Sequence, residues 1–136
     1  IKKYYESIDP PIIPQEQQIV TEENISKKKR FNVVSFREFI PGDITDIFDI
    51  EENKLHKIIQ ENKTLKSQLS QFIKVTNEYP DIIEKRLDIV GKCNLCIVEE
   101  EQQKRLVLLD PHYISKIGDY PSEKIRKKIN YLESLL

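Results

Sequence analysis

Residues 48–72 read FDIEENKLHKIIQENKTLKSQLSQF, and their apolar members recur at spacings of three and four: Leu55, Ile58, Leu65, Leu69 and Phe72. That period is helical. As a heptad, Phe48, Leu55, Asn62 and Leu69 take the a positions, and Ile58, Leu65 and Phe72 take d, a seam that a second helix would cover. Asn62 is the polar intruder in this line. A lone Asn at an a position weakens packing but pairs with its own copy in a parallel, in-register dimer. Glu61 at g and the following Lys66 at e stand where an interhelical ion pair forms. The expectation is one long helix over 44–77 that forms a parallel homodimeric coiled coil. The alternative is the core face of a helix inside a monomer, with Asn62 hydrogen-bonded locally and the two charges solvated.

Toward the N-terminus, residues 1–26 are polar and carry Pro10, Pro11 and Pro14, which fix φ and bias their predecessors away from helix. This reads as an extended arm or linker. Tyr4, Tyr5, Ile12 and Ile13 are apolar anchors with which the arm packs on its own domain or docks on a partner. Residues 27–43 hold a basic run, Lys27–Arg30, and the strand-like FNVVSFREFI, stopped by Pro41-Gly42. The basic run fits a nuclear-localisation signal or a solvated turn. Asp43 or Thr45 is expected to cap the long helix.

Beyond the helix, residues 78–136 read as a small α+β module. A short helix is expected at DIIEKRLDI, then two strands in LDIVGKCNLCIVEE and RLVLLD around the polar EEQQK. A helical turn follows at HYISKI. The last helix carries Ile125, Ile129, Leu132 and Leu136 at helical spacing.

The chain has 136 residues, 38% hydrophobic and 33% charged, which is lean for a compact single core. Its 22 basic and 23 acidic residues nearly cancel, so no global field draws it to nucleic acid, and no apolar run is long enough to span a bilayer. It begins at Ile1 and contains no Met, and it is expected to be a fragment of a longer protein. Two cysteines are too few for a disulfide framework and point to an intracellular compartment.

Cys93-Asn94-Leu95-Cys96 is the one motif with a chemical reading, because two thiolates at this spacing can grip one edge of a tetrahedral Zn²⁺. Together with the acidic stretch after it, GKCNLC resembles the apex of the zinc-hook proteins, with Asn94 where that family usually has Pro. The resemblance implies a zinc-linked dimer in which two copies share one ion. Asp110 or His112 would otherwise complete a site within the chain. The favoured expectation is two ordinary reduced cysteines and no metal or other cofactor. A second constellation, Pro80-Asp81 with Asp88 or Glu99 and then Lys104, is loosely similar to PD-(D/E)xK nucleases, but Glu101 and Lys104 stand three apart instead of two. His56 falls on the outer helix face. Three glycines leave no phosphate-cradling loop.

The sequence thus predicts an α+β protein without catalytic residues. It is read as a dimeric scaffold or adaptor that binds protein partners and is nuclear or chromosome-associated, with the zinc-linked dimer and the nuclease as alternatives.

Overall fold

The computed structural model describes residues 2–25, 28–79, 87–110 and 122–136. It contains both helices and sheets, as an α+β chain should. A single turn of helix, α1 (Lys2–Tyr5), precedes two ten-residue antiparallel strands, β1 (Glu16–Ile25) and β2 (Lys28–Arg37). Then come β3 (Asp43–Asp46), a 3₁₀ turn at Ile47–Asp49, α2 (Glu52–Glu61) and α3 (Lys63–Glu78). Two six-residue strands, β4 (Leu95–Glu100) and β5 (Gln103–Leu108), and a last helix, α4 (Ser122–Ser134), complete the order.

The long helix expected over 44–77 is not one helix. Asp43–Asp46 is extended and pairs with β4, so neither Asp43 nor Thr45 caps a helix; Glu51 does, accepting from the backbone N–H groups of Asn53 and Lys54. The helix then breaks at Asn62, which sits at φ −121° and ψ 100°. Its side chain accepts from Leu65 N at 3.1 Å, so it is the N-cap of α3, a position asparagine fills well. The break also resets the apolar stripe. Leu55 and Ile59 face inward from α2, with Ile58 only half-buried, whereas Leu65, Leu69, Phe72 and Ile73 face inward from α3.

These side chains lie in the chain's own core, and this corrects the expected dimer seam. Leu55, Leu65, Leu69 and Phe72 are fully buried, with no surface left for a second helix. The cover comes from Leu95, Ile97, Leu106 and Leu108 of the sheet, Ile125, Ile129 and Leu132 of α4, and Tyr5, Ile8 and Ile12 of the N-terminal segment. Phe48 packs at the margin of the same cluster. Glu61 and Lys66 do not face each other across helices. Glu61 lies 3.8 Å from Lys57, and the Lys66 ammonium donates to Gln60 Oε1 at 2.6 Å.

Of the two destinations expected for the N-terminal anchors, the chain's own domain is the one observed, which corrects their reading as a partner-binding arm. Tyr5 stacks on Phe72 with ring centroids 5.1 Å apart, and its hydroxyl lies 2.8 Å from Thr76 Oγ1. Tyr4 meets Tyr79 at 5.2 Å, Ile12 is buried, and Ile13 packs against the core. None of these four is presented as a docking surface.

β3, β4 and β5 form one antiparallel sheet in that order. The outer edge of β5 is covered: Leu108 N donates to Ile12 O, and Leu106 N donates to the buried Gln68 Oε1, both at 2.8 Å. Gln68 also donates through Nε2 to Pro10 O at 2.8 Å. One buried amide therefore ties α3, the sheet edge and the N-terminal segment together, with every polar atom partnered. The short helices expected at DIIEKRLDI and HYISKI fall largely or wholly outside the described residues.

Candidate functional site

The sheet of β1 and β2 stands apart from this core. FNVVSFR is rich in β-branched and aromatic residues and forms a strand readily, whereas EQQIVTEENI is a poor strand former on its own. Pairing holds it. The register runs from Glu16 opposite Arg37, through Ile19 opposite Val34 and Val20 opposite Val33, to Ile25 opposite Lys28. Charges reinforce the ladder, with Lys29 Nζ 2.8 Å from Glu22 and Arg37 Nε 3.8 Å from Glu16. At the root, Glu38 N donates to Gln15 O at 2.8 Å, so the chain enters and leaves through neighbouring residues.

Residues directly opposite in an antiparallel pair share a face. Ile19, Val34 and Phe36 therefore lie on one face, and Val20, Val33 and Phe31 on the other. All six are between 46 and 64% exposed. Phe39, just past the root, is 83% exposed. Every described side chain from Gln17 to Glu22 and from Phe31 to Phe39 is open to solvent, and among the described residues no third strand pairs with either edge. The core leaves almost no large apolar side chain uncovered, and the hairpin collects most of those that remain. Exposed apolar surface concentrated in this way marks an interaction site.

The chemical candidates are placed differently. Cys93 is exposed at the turn before β4, held at φ +55°, with its N–H donating to Asp46 Oδ2 at 2.7 Å. Cys96 is buried within β4, and burial, aided by the nearby Cys93 and Asp46, pushes its thiol up to about 12. A thiol held neutral in this way is a poor metal ligand and a poor nucleophile. Asp88 turns back on its own loop, accepting from Val90 and Gly91 N–H. Glu99 pairs with Lys104 across the β4–β5 ladder at 2.7 Å. Lys128 donates to Ile89 O at 2.8 Å and lies 3.7 Å from the Phe48 ring centroid; burial lowers its pKa. Among the described residues, no group of three His, Cys, Asp or Glu side chains could hold a metal ion. His56 is exposed on α2. Asp81, His112 and Lys27 lie outside the described residues.

A cleft of about 540 Å³ opens between the α2–α3 break and the β4–β5 turn, lined by Asn62, Lys63, Glu101, Lys104 and Arg105 among others. Among the described residues, no helix is long and apolar enough to cross a membrane.

Sequence reasoning missed the hairpin because residues 16–25 look like part of a polar arm. A signal was present in the charges. Glu23 and Glu16 mirror Arg30 and Arg37 about positions 26 and 27, the arrangement an antiparallel turn needs to set opposite charges across the ladder. Comparison with protein-family models, with curated proteins and with solved structures finds no match.

Proposed function

We propose that this chain is a non-enzymatic scaffold or adaptor that associates with protein through the β1–β2 hairpin, its folded body serving as the mount. One observation carries the reading: ten-residue strands expose Ile19, Val20, Phe31, Val33, Val34 and Phe36 on two faces, while the body buries nearly all its own apolar side chains. A two-stranded ribbon is marginal in water unless something packs on it or extends it. Open edges add unpaired backbone donors and acceptors, the feature through which an extended segment of another chain is recruited. Protein is the favoured partner class because the hairpin is apolar between its charges and Lys29 is already neutralised by Glu22.

The experiment is a comparison of two chains. Gln15 and Glu38 are hydrogen-bonded neighbours, so residues 17–36 can be replaced by an Asn-Gly turn without pulling on the body. Affinity capture from the source cells with the intact chain and with the shortened chain should lose its prey in the second case, while the two bodies melt alike. Identical prey from both chains would overturn the hairpin as the binding element.

A further inference from the structure

We infer that the hairpin takes a second copy of this chain as its partner, the acidic β1 edge of one copy adding to the basic β2 edge of the next. This rests on the reading of the hairpin as an association element and names its occupant.

Charge is segregated by strand. β1 holds Glu16, Glu22 and Glu23 and no base, whereas β2 holds Lys28, Lys29, Arg30 and Arg37 and no acid. Two β1 edges meeting would bring together strands of like charge, as would two β2 edges, and like charges opposed across a ladder are destabilising. Only β1 against β2 opposes unlike charges. The ion pairs Lys29–Glu22 and Arg37–Glu16 show that combination operating inside the hairpin.

The register permits repetition. In an antiparallel pair, residues whose backbone groups turn away from the partner strand stand directly opposite one another. The outward groups of β1 therefore occur at positions that match the outward groups of β2. The alignment of Glu16 with Arg37 can recur between copies without a shift, setting Ile19 against Val34 of the next copy and Val20 against its Val33. Repetition also joins the apolar residues of each face into stripes that run across the strands, where neighbouring side chains shield one another.

Such a contact is head-to-tail, so it either closes into a ring or continues as a filament. Successive hairpins would stand about 10 Å apart, two strand spacings. A body of about 100 residues is roughly 30 Å across, so bodies mounted at one end must fan outward from the hairpins. Fanning relates the copies by rotation, which gives a ring where the rotation closes and a helical filament where it does not.

Two charge variants test the edge pairing. Glu16→Lys with Glu22→Lys makes both edges of one copy basic, and Lys29→Glu with Arg30→Glu and Arg37→Glu makes both edges of another acidic. Light scattering across a concentration series should find the parent oligomeric, each variant alone monomeric, and an equimolar mixture oligomeric again. A mixture that stays monomeric while the hairpin amides of both variants remain protected from hydrogen exchange would overturn the pairing. A second arm leaves the charges alone: Ile19→Cys and Val34→Cys are made in separate chains, each in a Cys93→Ser background, then mixed and mildly oxidised. A disulfide between the two different chains supports the register, whereas a predominance of like-with-like disulfides, or none, overturns it. A parent that is monomeric at every concentration also overturns self-pairing. It does not touch the broader reading, which fails only if the chain lacking residues 17–36 captures the same prey as the intact one.

Discussion

Among the described residues the chain builds two β-hairpins and treats them in opposite ways. β4 and β5 turn at Glu101-Gln102, both residues at positive φ (49° and 67°), as a two-residue turn matched to strand twist requires. One edge of that pair is covered by β3 and the other by Ile12 and Gln68, and Leu95 to Val98 are buried on both faces. β1 and β2 are longer, comparably apolar along much of β2, and covered by nothing described. Apolar content therefore does not separate a core strand from an association strand. What separates them is whether the rest of the chain supplies the cover, and the described residues supply it for one hairpin only.

The largest break in this comparison should come from the body. Leu65 is fully buried at the start of α3, so Leu65→Ala should cost about 2–5 kcal/mol through lost burial and a residual cavity. Denaturant unfolding measures it. Because the side chain faces the chain's own core, the association state of the surviving folded molecules should be that of the parent. A change in oligomer size with little loss of stability would return Leu65 to an intermolecular seam.

A smaller effect is expected where the hairpin joins the body. Gly42 sits at φ +96°, and a Cβ there would collide with the Glu99 carbonyl, which is backbone and cannot swing away. Gly42→Ala should destabilise by about 1–3 kcal/mol, on the scale of strained backbone held by its surroundings. Hydrogen exchange should locate the loss at the β3–β4 ladder, leaving the hairpin amides as they were.

The α+β class was legible because helical and strand periods both stand out in the sequence. The inward face of the helices was also legible, at Leu55, Leu65, Leu69 and Phe72. What covers that face was not, since a spacing of three and four is the same whether the cover is a second copy or the chain's own sheet. Asn62 illustrates the ambiguity. The residue type that sets register in a paired helix is also a favoured N-cap, and the choice depends on contacts with residues far away in sequence. Ile12 and Tyr5 were recognisable as anchors for the same reason that their destination was not: apolar side chains in a proline-rich segment must bury somewhere, and local sequence does not say where. β1 was hidden because Glu, Gln and Asn form strands only when a partner strand is already in place. Of the candidate association surface, the β2 half was visible in FNVVSFR and the β1 half only in its mirrored charges.

Smaller again is the titration of the buried thiol. Cys96 has its pKa raised from the ordinary 9.0 to about 12 by burial first, then by Cys93 and Asp46. The unfolded chain gives up this proton more readily than the folded one. The contribution of the neutral thiol to stability is therefore fully present below about pH 9 and is lost as pH rises toward 12. Melting temperature should fall over that window more steeply in the parent than in Cys96→Ala. At neutral pH a thiol reagent should find Cys93 alone in the native protein and both cysteines once it is unfolded; two reactive thiols in the native state would mean that β4 is not buried.

The smallest expected effect on stability sharpens the comparison most. Phe36 is 56% exposed, so Phe36→Ser removes an apolar side chain that water already reaches. The body's melting transition should move by no more than about 0.5 kcal/mol, the usual range for surface positions away from special features. The same substitution should reduce association several-fold, because the ring is one of the largest apolar groups on its face of the ribbon and aromatic residues dominate the energetics of interfaces. Stability and association thus respond in opposite proportion at Leu65 and at Phe36. If Phe36→Ser lowers the melting temperature as much as a core truncation does, the hairpin is packed against its own body in solution, and the division between a covered hairpin and an uncovered one falls with it.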